Sequence, residues 1–321
     1  MPAEPYNDPA LSEKRIRIIV NPISGRGRAG RTARALQAAL VARGFGVEIL
    51  ETHAQGDARR FAAGACGFHR IVCIGGDGTV SEVVNGLPIG HAPPLAGVPG
   101  GTGNAYAKEL RLPSGIEALA DLIGSGSTVC WDIGINRSIG RRFMMFAGAG
   151  FQAEVVRHFQ AHRHGPSFKA SYLRWGFHVA SRFPLPRITV EVDGRIAGRD
   201  IPWVEVFNIS HYGGPLRIAP QARPSDGMFD ILILRSRRIR DIWRLLGVGL
   251  YTFAFDSPWR LKEMEFVNGR RVRLTSEGRA PIHMDGDFQG YLPADLEVLP
   301  WRVEIVSPQV NGSTARTTRA V

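Results

Sequence analysis

Cysteine is scarce in this 321-residue chain, which holds only Cys66, Cys73 and Cys130. An odd count without C-x-x-C or Cys/His spacing argues against a disulfide framework and a zinc site, and fits a reducing compartment. Long apolar runs are also missing. None approaches the roughly 18 residues of a spanning helix, and the opening MPAEPYNDPALSEKR lacks the basic-then-apolar layout of a secretory signal, so a cytoplasmic protein is expected. There is no G-x-S-x-G elbow, no G-x-x-x-x-G-K-[ST] loop and no H-E-x-x-H pair, which disfavours hydrolases of the nucleophile-elbow type, P-loop enzymes and zinc peptidases. Acid is in short supply, 29 Asp and Glu against 40 Lys and Arg for a net charge of +11. That excess attracts nucleic acid, an anionic membrane surface or a phosphate-bearing ligand alike. With 44% hydrophobic residues the chain has material for one or two cores, which excludes general disorder.

Between Lys14 and about residue 132 short apolar runs alternate with helical periodicity. Ile16–Val20, Val47–Leu50, Ile71–Ile74 and Leu95–Val98 read as buried strands, and Arg31–Arg43 and Thr79–Leu87 as helices. Asp57 reads as the cap of a short helix, and Ser114 with Glu117 as a capping box for another. This grammar predicts an open parallel α/β sheet. From 133 to 299 it changes. Asp193-Gly194 and Asn268-Gly269 each sit between β-type runs and predict tight hairpins in an antiparallel, β-rich second domain. Two helical stretches, Ser167–Arg182 and Arg240–Phe255, interrupt it. Residues 300–321 read as a strand, Trp301–Val306, returning to the first domain, followed by a basic tail.

Ligands of a parallel sheet collect at the carboxyl ends of its strands, beside helix N-termini. Three glycine-rich loops follow predicted strands there: Asn21-Pro22-Ile23-Ser24-Gly25-Arg26-Gly27, Gly75-Gly76-Asp77-Gly78-Thr79 and Pro99-Gly100-Gly101-Thr102-Gly103-Asn104. Glycine lets backbone N–H groups approach a phosphate closely. Asp77 could hold a magnesium ion on phosphate oxygens, or merely form a turn. Thr79-x-x-Glu82 doubles as a capping box. Gly25-x-Gly27-x-x-Gly30, with Glu51 about 20 residues on, also fits a dinucleotide fingerprint. His158 and His162 have metal-ligand spacing, but Arg157 and Arg163 oppose a cation, and a solvated face is the simpler reading.

The ordered series NPISG (Asn21–Gly25), GGDGTVSEVVNG (Gly75–Gly86), PGGTGNAYA (Pro99–Ala107), HYGGPLRIAPQARPSDGMFD (His211–Asp230) and HMDGDFQGYLP (His283–Pro293) resembles the diacylglycerol kinase catalytic family of lipid kinases, which includes bacterial diacylglycerol kinases and sphingosine and ceramide kinases. The resemblance implies ATP- and Mg²⁺-dependent phosphorylation of a membrane-lipid hydroxyl. It implies nucleotide contacts at Asn21, Pro22, Ile23, Ser24, Gly25, Thr52, Gly76, Asp77, Gly78, Thr79, Val80, Ser81, Glu82 and Thr102. It implies a metal site at Arg223, Asp226 and Met228, partly through backbone carbonyls. In the family's late D-G-E element this chain has Asp285-Gly286-Asp287, leaving either acid as the proton acceptor. An NAD kinase shares GGDGT and would act on a soluble nucleotide hydroxyl, while a dinucleotide-binding protein or a basic nucleic-acid binder needs no such series. The expected partners are therefore a lipid substrate and an anionic membrane surface approached peripherally, not nucleic acid, with room for a homodimer. Arg235–Trp259, with Arg and Trp beside an apolar run, is the expected docking segment.

Overall fold

The computed structural model describes residues 14–101, 103–162, 168–213, 216–237 and 264–308, with backbone alone at 168–173. In the first third, Arg15–Val20 (β1), Ser24–Val41 (α1), Gly46–Glu51 (β2), Asp57–Ala63 (α2), Arg70–Gly75 (β3), Asp77–Gly86 (α3), Leu95–Pro99 (β4), Ala105–Leu110 (α4) and Ile116–Ser125 (α5) follow one another. The strands lie in the order β2-β1-β3-β4, all parallel. Every residue of β3 is buried, as befits a strand with helices on both faces. Leu36 and Leu40 of α1 and Leu119 and Ile123 of α5 seal one face. Ala62, Val80, Val84 and Tyr106, from α2, α3 and α4, pack on the other. Because the strands run together, the loops after β1, β3 and β4 emerge at one edge.

The remaining elements are Thr128–Asn136 (β5), Arg141–Phe143 (β6), Phe146–Gly150 (β7), Phe151–Ala161 (α6), Phe168–Arg182 (α7), Ile188–Val192 (β8), Arg195–Ile201 (β9), Trp203–Phe207 (β10), His211–Tyr212 (β11), Leu216–Arg217 (β12), Phe229–Leu234 (β13), Met264–Gly269 (β14), Arg271–Ser276 (β15), Pro281–Met284 (β16), Asp287–Tyr291 (β17) and Ala294–Val306 (β18). Strands β14-β13-β10-β7-β16-β17 form an antiparallel sheet. It packs through Ala147, Ala149, Val204, Val206, Ile231 and Ile282 against Val190, Val272, Leu274 and Leu296 of a second layer. That layer is not separate from the first domain. The 13-residue β18 pairs with β5 along its length and with β15 at its start, and at its end Ile305 pairs in parallel with Leu95 of β4. A shift of register between Val298 and Arg302, spanning Pro300, bends it from one half to the other. The expected division between 132 and 133 falls inside β5.

Several local expectations are corrected. Asn268-Gly269 joins no hairpin, because β14 pairs with β13 while β15 pairs with β8 and β18 in the other layer. The Asp193 carboxylate, accepting from Arg270 N and Arg271 N, holds that crossover. Asp193-Gly194 does close the β8–β9 hairpin. Helix α5 starts after Gly115 at φ 105°, without a side-chain cap, and Glu117 pairs instead with Arg43. Helix α3 starts at Asp77, so Glu82 lies too far along to box it and accepts from Gly56 N at 3.0 Å. Asp57 is the first helical residue after Gly56, and its carboxylate receives His53 N and Ala54 N of the preceding loop. The helical stretch Arg240–Phe255 lies outside the described residues. Of the expected docking segment, Arg235 ion-pairs with Glu265, and Arg237 donates to the Pro186 and Leu185 carbonyls at 2.7 Å each. Both are committed to the fold. Among the described residues no helix is long and apolar enough to cross a membrane.

Candidate active site

The three glycine loops pack directly on one another. Gly100 N donates to Gly75 O at 2.8 Å and Asn21 N to Ile74 O at 3.0 Å. A Cβ on Gly101 would stand 2.5 Å from the Gly76 Cα, and one on Gly25 would stand 2.7 Å from the Gly100 carbonyl. Glycine is required there by backbone crowding as much as by any ligand. Gly25, Arg26 and Gly27 all have left-handed φ (61°, 61° and 80°), which breaks the start of α1 into a separate turn. Ile23, Arg26, Arg28 and Arg31 are exposed around it. Beside this turn, Thr52 closes β2 through Thr52 N to Val20 O, and Glu51 turns to Arg34 at 3.9 Å.

Asp77 opens α3 and also serves the next helix, accepting from Ala105 N at 2.8 Å at the head of α4. Loss of water pushes its carboxyl up to about 6, the Asp285 charge adds to this, and hydrogen bonds from residues 104–106 oppose it. The packing of Val80 and Ser81 places both side chains in the interior. Gly76, Gly78 and Thr79 remain on the accessible side. Thr102 lies outside the described residues.

The second sheet delivers its acids to this point. The β16–β17 connection is a two-residue turn, Met284 pairing with Asp287, with φ of 50° at Asp285 and 83° at Gly286. Those positive values are the hairpin's twist-matched geometry. Asp285 is 3% exposed and accepts from Met144 N at 3.0 Å, Met145 N at 2.9 Å and Phe146 N at 3.2 Å. Burial pushes its carboxyl up, against these three donors and the Ser81 hydroxyl. The Asp287 side chain, 32% exposed, points at the head of α3: a Cβ on Gly78 would stand 3.7 Å from its Oδ2. Gln160 of α6 donates to its Oδ1 at 2.6 Å, and Arg141 lies 3.9 Å from Oδ2.

The loop Arg223–Met228 precedes β13 at the same end of the sheet. Three strand positions separate it from the Asp285 turn, roughly 14 Å at about 4.8 Å per strand. Met228 N donates to Asp226 Oδ1 at 3.0 Å, an Asx turn, and Asp132 anchors the loop by accepting from Gly227 N and Arg302. The structure thus brings Asp77, Asp285 and Asp287 together and leaves Arg223, Asp226 and Met228 to one side. Among the described residues no group of three His, Cys, Asp or Glu could hold a metal unaided. His158 is half-buried against Trp175 and His178 between α6 and α7, while His162, though it touches Trp175, stays exposed as a solvated face requires.

Gln160, Arg141 and a Glu109–His211 pair escaped the sequence reading. Glu109 on α4 accepts from His211 Nδ1 at 2.6 Å and Ser210 Oγ at 2.7 Å. Burial works to raise the Glu109 carboxyl, but these bonds outweigh it and leave it below the ordinary range. The pair tethers the first half to the second beside the site. Its signals in sequence were the place of Glu109 just past Pro99–Ala107 and that of His211 as the first residue of the His211–Asp230 motif, neither of which pairs the two.

A family model described as the diacylglycerol kinase catalytic domain matches residues 15–135, and one described as the YegS C-terminal NAD kinase beta sandwich-like domain matches residues 146–307. The chain is 30% identical over 303 residues to the diacylglycerol kinase of Mycobacterium tuberculosis H37Rv, covering 92% of this chain and 96% of that one. It is 28% identical over 300 residues to the diacylglycerol kinase of Bacillus subtilis 168, covering 92% and 97%. It is similar in structure to a diacylglycerol kinase from Bacillus anthracis Sterne, with TM-score 0.68 at 23% identity over 92% and 97% of the two chains. An NAD kinase from Archaeoglobus fulgidus in complex with ATP gives TM-score 0.53 at 14% identity over 92% and 94%. At those identities the likeness to the two solved structures is one of fold.

Proposed function

The chain belongs to the family of the diacylglycerol kinase catalytic domain, and from that premise we propose that it transfers the γ-phosphate of ATP to a hydroxyl of a membrane lipid of the diacylglycerol, sphingoid or ceramide kind. The observation that carries this reading is the convergence of the three glycine loops of one half with the Asp285–Asp287 turn of the other at the head of α3. In it, the segments Asn21–Gly25 and Gly76–Glu82, with Thr102, bind the nucleotide's phosphates through the polar groups their loops leave uncommitted, with Thr52 at the rim and the arginines of the α1 turn adding charge.

The donors fit Mg²⁺. Asp77 offers hard oxygen, and its carboxyl, pushed up to about 6, is short of compensating positive charge. Asp77 would hold the ion, phosphate oxygens and water completing its shell, while the Arg223–Met228 loop, with its carbonyls and Asp226, would serve a second position. When bound, Mg²⁺ offsets phosphate charge. Asp287, accessible beside Gly78, accepts the proton of the lipid hydroxyl; Asp285, sealed by three backbone donors, braces the segment 144–146. The +11 charge supports reversible attachment to an anionic leaflet from the cytoplasmic side.

The test is transfer from labelled ATP with Mg²⁺ to diacylglycerol, sphingosine or ceramide in vesicles with and without anionic lipid, with NAD in a parallel reaction. Label in one lipid, faster on anionic vesicles, is expected. Label on NAD alone would overturn the reading.

A further inference from the structure

The Asp287 carboxylate is not simply presented by its turn. Helix α6 packs on β16, β17 and β7, and from its last turn the Gln160 amide makes two bonds to consecutive residues of β17. Its Nε2 donates to Asp287 Oδ1 at 2.6 Å, and its Oε1 accepts from Phe288 N at 2.9 Å. One planar group thus ties the side chain of residue 287 to the main chain of residue 288. A carboxylate on a short side chain swings by rotation about two torsions, and these bonds remove that freedom on the Oδ1 side. Oδ2 is left facing the head of α3, where Gly78 supplies no Cβ, and Arg141 lies 3.9 Å away.

We propose that Gln160 is a positioning residue for phosphoryl transfer, aiming Asp287 at the acceptor hydroxyl. The inference rests on the reading of Asp287 as the proton acceptor. Chemistry favours an amide for this task. A lysine or arginine in that place would bind the carboxylate as an ion pair and depress its proton affinity, whereas a neutral N–H orients it at a smaller cost in basicity. Arg141 from β6 lies 3.9 Å from the carboxylate, Asp285 shares its turn, Asp77 is the neighbour of Gly78 at the head of α3, and on α6 Glu154 and Arg157 pair with each other. A helix-to-hairpin staple without a catalytic consequence would use the same two bonds, so the test has to separate the two roles.

Three variants of the full chain do so. Gln160→Leu removes both bonds, Gln160→Glu keeps the acceptor for Phe288 N and sets a carboxylate against Oδ1, and Asp287→Asn removes the base. Turnover with MgATP and a lipid hydroxyl, the KM for MgATP, thermal melting and the pH profile of kcat/KM are measured for each. Gln160→Leu should lower kcat on the order of 10- to 100-fold with KM for MgATP within about twofold of the parent. Gln160→Glu should move the acidic limb of the profile to higher pH, because a like charge raises the Asp287 carboxyl. Asp287→Asn should lose at least about 10²-fold in kcat.

If Asp287→Asn is inactive while both Gln160 variants keep the parental kcat and profile, the base stands and the positioning role is overturned. That role is equally overturned if the Gln160 variants lose melting temperature and folded protein together while the profile of what remains is unmoved. Parental turnover in Asp287→Asn overturns the base reading and the inference with it. Should Gln160→Leu fail to fold, Gln160→Glu, which retains the Phe288 tether, decides through kcat on the high-pH plateau: a fall at unchanged KM for MgATP upholds the role, and parental kcat overturns it.

Discussion

Asp285 and Asp287 stand two residues apart, yet one is buried under three main-chain donors and the other reaches water at the head of a helix. That difference separates their expected phenotypes. Asp285→Ala strands the N–H groups of Met144, Met145 and Phe146 in the interior, so it should cost about 3 kcal/mol or more in urea unfolding, whatever it does to turnover. Asp77 makes a different prediction. Its native carboxyl, at about 6, lies above the ordinary 3.8, so the folded state holds the proton more tightly than the unfolded chain. The stability from that proton is fully present below about pH 4 and is lost as pH rises through 6. Asp77→Asn should therefore melt no lower than the parent at pH 7.5, with a flatter dependence between pH 4 and 7, while kcat falls about 10²-fold or more. A variant that melts lower at pH 7.5 and still turns over would make Asp77 a structural cap for α4 only.

At the scale of elements, the glycine loops work as one stacked unit. Gly101→Ala drives a methyl into the Gly76 backbone and should raise the KM for MgATP by about tenfold with a smaller change in kcat, checked by steady-state kinetics at saturating lipid. The loops and strands β1 to β4 were legible because their signal is local: an apolar run, then glycines, then a helical period. The acids of the β16–β17 turn were legible as a motif, but which of them is sealed depends on Met144–Phe146, some 140 residues earlier. Gln160 offered no signal of its own, since a polar residue near a helix end is ordinary until β17 is folded against it. Asn268-Gly269 misled for the same reason. The dipeptide reports a tight reversal, and the sheet that each flanking strand joins is decided by Phe229, Val192 and Leu296, far off in sequence.

Over the whole molecule, β18 runs from the sandwich to the parallel sheet as one strand, so neither half completes its sheet without it. Calorimetry should show a single unfolding transition, raised by MgATP by an amount equivalent to about 2.7 kcal/mol at a concentration 100 times its Kd; two well-separated transitions would mean that the halves melt independently. The strand also sets what can be inherited piecemeal. A chain cut between residues 136 and 141 would give a first fragment without its fifth parallel neighbour and a second ending in an unmatched edge. Shuffling either half onto a foreign partner would therefore have to carry residues 294–306 along with both pieces, so such architectures should descend as indivisible wholes and diversify by loop replacement instead of by exchange of modules.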